Sequence, residues 1–329
     1  MPPSPRPGTL EWLADRDPDH IALVTPEGAL TRGDWEARAA ALAEHLAQER
    51  EVAPGGLLSA SGRIGPHWLV ASWAAAKLGA GLAGLPPGPG GALDGAVHVE
   101  QEPATAPAGE RRLSGAGALP DSVTFSRLGR PVRRRFTPGG VAAIGVTLSD
   151  LVARLHAVPG TTLVVSGPVC DPVATLLVNL VLVGGGRVVA APEPEAALGL
   201  AAEHDAGLAA LPPAEIDALA LLAPALRDAL DLTSIQALVT GAAPTSPAGR
   251  DAAVDLFGAD AVVDVYATAD TGVVAVRGRT QEHHVLLDGV SVRSAAGLLE
   301  VRSPLCAAAG WVPTGDRAVL VGETALQLL

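Results

Sequence analysis

Between residues 31 and 49 the apolar side chains return every three or four positions. Trp35, Ala39, Leu42 and Leu46 fall on one face, with Glu36, Arg38, Glu44 and Gln48 between them. This spacing predicts a helix over 31–49. A β-like run at 21–25 and a Pro26-Glu27-Gly28 turn precede it. Leu57-Leu58-Ser59 opens a further strand, and 66–78 reads as a second helix closed by Gly79. From 86 to 120 the pattern dissolves into Pro, Gly and Ala, which reads as loop with a short strand at 96–100. Regularity returns at 161. TTLVVS reads as a buried strand, 172–182 as a helix and RVVAA as the next strand, and β-like runs at 204–210, 235–240 and 261–265 continue the alternation. Strands separated by helical stretches predict parallel βαβ units covered on both faces. After 285 the runs at 290–292, 298–301 and 318–321 lack helices between them. The expected architecture is α/β, with βαβ layers in a first subdomain over 1–160, a second over 161–285 and a small β-rich subdomain over 286–329.

Composition narrows the function. With 48% hydrophobic and 18% charged residues, the 329-residue chain is expected to be globular. A net charge of −12 argues against nucleic acid, because no basic surface is available for phosphates. The longest apolar run, 173–183, is broken by Asn179 and is too short to span a bilayer. The N-terminal stretch has no secretory pattern, and two cysteines suggest no disulfide framework, so cytoplasm is the expectation. Lys77 is the only lysine.

Several segments carry chemistry in a telling order. "WEARAAALAEHLAQ" and "WAAAKLGAGLAGLPP" are followed by "LVTGAAPTSP", "VYATADTG" and "GWVPTGD". In this order they resemble the large N-terminal domain of the AMP-forming adenylating superfamily, which contains acyl-CoA synthetases, adenylation domains of nonribosomal peptide synthetases and luciferases. The first half-reaction of that family couples a carboxylate to the α-phosphate of ATP and expels pyrophosphate. The resemblance implies that Gly241, Ala242, Ala243 and Pro244 line one wall of an adenine slot. Tyr266 would stack on the other side, next to Ala267, and Thr268 would give a hydroxyl to the α-phosphate. Asp270 would take the place of a magnesium-binding glutamate, and Asp316 would accept both ribose hydroxyls.

The same resemblance exposes a loss. The family's phosphate loop reads TSGTTGxPK, and "TFSRLGRPV" at 124–132 stands in its place. Thr124, Ser126, Gly129 and Pro131 match a phosphate loop in part. Phe125, Arg127 and Leu128 replace small and hydroxyl residues, and Val132 holds the lysine position. A phosphate cradle works through exposed backbone N–H groups, small side chains and a cation. The loop therefore reads as a decayed β,γ-phosphate grip. The family's small C-terminal lid, which brings a second lysine, is not found before Leu329.

Other features have plainer readings. Cys170 reads as a packed thiol, His283-His284 as a solvated turn, Gly184-Gly185-Gly186 as a helix-to-strand loop and Arg133-Arg134-Arg135 as a solvated face. Three functions stay open: a protein that binds AMP or an acyl-adenylate with weak use of ATP, an active carboxylate–CoA or carrier-protein ligase completed by a separate C-terminal protein or by unusual arginines, and a scaffold in a biosynthetic complex. Magnesium is a possible companion of the nucleotide.

Overall fold

The computed structural model describes residues 9–86, 93–99, 121–125, 131–134, 138–223, 225, 229–241, 245–258, 260–278 and 281–329. The chain begins with α1 (Leu10–Arg16), β1 (Ile21–Thr25), β2 (Gly28–Thr31), α2 (Arg32–Glu49), β3 (Leu57–Ser61), α3 (Pro66–Leu78), β4 (Gly81–Leu85) and β5 (Val97–His98). Then come β6 (Asp121–Phe125), β7 (Pro131–Arg134), α4 (Pro138–Arg154), β8 (Thr162–Val165), α5 (Pro172–Val183), β9 (Arg187–Ala190), α6 (Pro194–Glu203), β10 (Leu208–Ala210) and α7 (Pro213–Leu219). The remainder is β11 (Ala237–Gly241), α8 (Pro247–Phe257), β12 (Val262–Thr268), β13 (Gly272–Gly278), β14 (His284–Leu286), β15 (Ser291–Ala295), β16 (Leu298–Arg302), β17 (Val312–Pro313), β18 (Ala318–Val321) and β19 (Ala325–Leu328).

These strands make three sheets. The large one runs β18-β19-β14-β13-β12-β11-β10-β8-β9-β1-β2. Its centre, from β12 through β11, β10, β8 and β9 to β1, is parallel, as the βαβ pattern predicts. A second sheet runs β5-β3-β4-β6-β7, and β15-β16-β17 form the third. The large sheet draws β1 and β2 from the start of the chain and β18 and β19 from its end, so the β-like tail divides between two sheets.

Local sequence explains the elements. Thr31 caps α2 by accepting the Asp34 N–H, and Asp171 caps α5 by accepting from Val173 and Ala174. Gly79 ends α3 at φ 66°, a left-handed turn that glycine adopts without strain. Along α5, Val173, Ala174, Leu177, Val178, Val181 and Leu182 are buried, the stripe that a helix packed on a sheet requires. Trp35 of α2 meets Trp73 of α3 edge-on at 5.5 Å and donates its indole N–H to Leu69 O. Lys77 is buried in the same layer, its Nζ 2.6 Å from Glu11 Oε1 and 2.9 Å from Glu36 Oε1.

A strap joins the two larger sheets. Ile64 N donates to Gly167 O, Val169 N donates to Gly62 O, and Arg63 bridges to Pro168. The contact is so close that a Cβ on Gly84 of β4 would lie 2.1 Å from Val169 O. Several elements go beyond the sequence expectation, among them helix α1, strand β2, the β6–β7 hairpin, helix α4 and strands β13, β14 and β19. The run at 204–210 is also shorter as a strand. His204 caps α6 and Asp205 turns at φ 48°, so β10 begins only at Leu208.

Candidate functional site

The carboxyl ends of β8, β10, β11 and β12 lie along one edge of the large sheet, where open α/β folds place their ligands. Tyr266 is buried near the end of β12. Its phenol O–H donates to Asp316 Oδ2 at 2.8 Å. Asp316 is held in turn by its backbone: Leu299 N donates to its carbonyl at 2.8 Å, and its own N–H donates to Thr314 Oγ1. Thr314 returns to β16 through two bonds to Leu299 O, one from its N–H and one from its hydroxyl. Between them Gly315 turns at φ 80°, which explains the glycine of the Thr-Gly-Asp segment. The structure thus brings together Tyr266 and Asp316, two residues the sequence reading singled out for a single nucleoside.

The other expected residues divide. Thr268 Oγ1 accepts the Thr271 N–H at 3.2 Å and shares a hydrogen bond with Thr271 Oγ1 at 2.9 Å, so its hydroxyl closes the β12–β13 turn. Counted from Tyr266, the hydroxyl position of a Y-G-x-T-E segment falls on Ala269, one residue beyond Thr268. Ala267 is buried at the strand end. Asp270 follows in the same turn, half-buried, with its carbonyl accepting the Ala307 N–H at 2.8 Å. Gly241 ends β11, where a Cβ would sit 2.4 Å from Val265 O, so strand packing alone demands glycine. Ala242, Ala243 and Pro244 lie outside the described residues.

Strands β6 and β7 flank the segment expected to be a degenerate phosphate loop. Thr124 pairs with Val132 and Phe125 with Pro131 across β6 and β7, so Thr124 and Pro131 are strand residues. Ser126 and Gly129 lie outside the described residues, as does Arg135 of the arginine run.

Behind Tyr266 lies a polar cluster absent from the sequence reading. Asp264, two residues earlier on β12, has Oδ2 2.7 Å from Arg277 Nη2, 3.4 Å from Arg250 Nη2 and 3.7 Å from His284 Nε2. Burial opposes ionisation of Asp264. The neighbouring His284 and Arg277 outweigh burial and hold the carboxyl below its usual range. His284 is only 4% exposed and packs against the Tyr266 ring at 6.3 Å. This corrects the reading of His283-His284 as a solvated turn: His284 opens β14 and faces inward. Alternation was the available signal, since a charged residue two before the only tyrosine shares its face of the strand.

A second cluster stands at the end of β8. Ser166 donates its hydroxyl to Glu215 Oε2, and Arg63 Nη1 lies 2.8 Å from Glu215 Oε1. Burial pushes the Asp171 carboxyl up, against the N–H bonds from Ala174 and Val173 and with the help of the nearby Glu215 charge. Burial and Asp171 together push the Cys170 thiol up, consistent with an unreactive thiol. Among the described residues no three His, Cys, Asp or Glu side chains group to hold a metal, and no helix is long and apolar enough to cross a membrane.

No protein-family model matches the chain, and no curated protein matches it by sequence. Solved structures do match. The amide bond synthetase McbA from Marinactinospora thermotolerans shares 20% identity with a TM-score of 0.73, over 99% of this chain and 78% of that one. O-succinylbenzoate coenzyme A synthetase (MenE) from Bacillus subtilis shares 14% identity with a TM-score of 0.75, over 98% and 79%. ATP-bound MatB from Rhodopseudomonas palustris shares 18% identity with a TM-score of 0.75, over 98% and 78%. At these identities the likeness establishes a shared fold, that of the N-terminal domain of adenylating enzymes.

Proposed function

Starting from a fold shared with the N-terminal domain of adenylating enzymes, we propose that this protein binds AMP or an acyl-adenylate at the Tyr266–Asp316 corner and uses ATP weakly. The 2.8 Å contact from Tyr266 to Asp316 carries the reading. An ionised carboxylate offers about four acceptor sites. The bond from the phenol takes one of them and holds the Tyr266 ring against the carboxylate, and ribose hydroxyls would be accepted by that same carboxylate. The ring is itself buried, in one apolar cluster with Leu286 and Leu299, so the corner offers a ligand the carboxylate and not the open stacking face that the resemblance implies.

The phosphate side is poorer. Val132 stands where the resemblance calls for a lysine, and the only lysine, Lys77, is buried between Glu11 and Glu36. A magnesium ion is commonly held by one or two carboxylates together with substrate phosphates. Asp270 fits that mode, as the protein's contribution to an ion carried by the nucleotide. A carrier protein that presents the acyl group is the partner this reading fits.

Calorimetric titration with AMP, a non-hydrolysable acyl-adenylate and ATP tests the proposal. AMP or the acyl-adenylate should bind more tightly than ATP. ATP binding as tight or tighter would overturn it.

A further inference from the structure

We propose that His284 is a positioning residue for the Tyr266–Asp316 corner, setting the tyrosine ring and transmitting its own protonation to the Tyr266–Asp316 hydrogen bond. Three observations carry this. The imidazole is 4% exposed and meets the Tyr266 ring edge-on at 6.3 Å with the planes 67° apart, so the two rings pack directly on each other. Its Nε2 lies 3.7 Å from Asp264 Oδ2, beyond a hydrogen bond but within reach of an ion pair. Its Nδ1 is buried and has no hydrogen-bond partner among the described residues.

The neutral ring tolerates this arrangement, because a bare lone pair is less demanding than a bare N–H. The imidazolium carries two N–H donors and a charge, and a buried unpaired donor is costly. Its route to relief is toward Asp264. The charged group facing it is Asp264 of β12, which Arg277 of β13 and Arg250 of α8 also hold, and the phenol of Tyr266 is the other titratable neighbour. The two arginines already hold Asp264 Oδ2, so an approaching imidazolium competes with them and leaves the face of Tyr266. The phenol then loses the support that aims it at Asp316. For ligand binding this consequence rests on the nucleotide reading above; the coupling between His284 and Tyr266 does not.

Tyr266 is the only tyrosine, so a protein grown with 13C-labelled tyrosine reports this ring alone. In the wild type its ring resonances should move in a single step as the pH is taken from about 8 to about 5. His284→Phe keeps an aromatic contact and His284→Gln a polar one. Both should abolish that titration with circular dichroism intact, whereas His283→Gln should retain it. Wild-type resonances that stay still over this range would overturn the proposal, as would a titration that survives in whichever of the two His284 variants folds. AMP is then added at each pH. Weaker AMP binding at acid pH in the wild type, with a flat profile in the variants, extends the coupling to the ligand. If saturating AMP leaves the tyrosine resonances unmoved at every pH, the nucleotide reading falls and the pH titration still decides the role of His284.

Discussion

The phenol of Tyr266 donates to the carboxylate of Asp316 at 2.8 Å, across 50 residues of sequence and between two different sheets. Tyr266 belongs to the large sheet, while Asp316 hangs from β16 of the three-stranded one. A ligand at this corner touches both units. Asp316→Ala should therefore weaken AMP binding by about 1.5–3 kcal/mol for each charge-assisted bond lost. Tyr266→Phe, which keeps the ring, should cost less than Asp316→Ala. Calorimetry on folded variants checks the order. Unchanged AMP affinity in Asp316→Ala would remove that carboxylate from the site.

Catalysis should be poor in the isolated chain. Loss of one preorganised charge stabiliser typically costs about 10²–10³ in rate. Pyrophosphate exchange into ATP should lie near background across a panel of carboxylic acids. Val132→Lys alone should not restore it, because Phe125 and Leu128 still replace the small residues of a phosphate loop. Robust exchange by the unmodified chain would make the ligase reading the better one.

Lys77 should matter for folding and not for nucleotide. Its ammonium is enclosed with Glu11 and Glu36, and removing one member of a buried charge cluster commonly costs about 3–5 kcal/mol. Lys77→Ala should shift the denaturant midpoint sharply downward. The triple change to Met at 11, 36 and 77 should recover much of that loss, since well-packed apolar groups often match a buried ion cluster.

Asp264 sets a direction for acid stability. Its carboxyl is held below the usual range in the fold, so the folded state prefers the ionised form. This contribution is fully present above the unfolded-state value of about 3.9 and is lost as pH falls through the lower folded value. Urea midpoints measured from pH 6 downward should fall as acid is added. Asp264→Asn should be less stable at pH 6 and should show a shallower acid slope.

Gly241 should be irreplaceable for a reason of packing. A Cβ there meets Val265 O at 2.4 Å, and backbone cannot yield as a side chain can. Gly241→Ala should destabilise by about 1–3 kcal/mol, the usual cost of overpacking, in the absence of any ligand. A neutral effect on stability with a loss of AMP affinity would return the residue to the adenine slot.

Much of the scaffold was legible in the chain. The face of Trp35, Ala39, Leu42 and Leu46 gave α2 nearly to the residue, and Gly79 gave the end of α3 because only its conformation was needed. Strand β13 and helix α4 were not legible. The opening of α4, PGGVAAIG from Pro138, has the look of a loop, and the apolar GVVAV of β13 shows no alternation because both its faces are covered. At the site, Tyr266 and Asp316 could be paired through the order of motifs. The inward turn of His284 could not, since which of two adjacent histidines faces the core depends on the register of β14 with β19.

The strand order also dictates a history for the chain. Leu23 of β1 lies beside Val188 of β9, and among the described strands β2 is bonded to β1 alone. During synthesis the β1–β2 hairpin emerges long before its docking edge exists. The closure that seats it joins positions 23 and 188, with the whole second sheet lying between them in sequence, and such distant pairings slow folding and leave strand edges exposed meanwhile. Refolding should accordingly be slow and concentration-sensitive, with β1 and β2 the last strands to gain protection from hydrogen exchange.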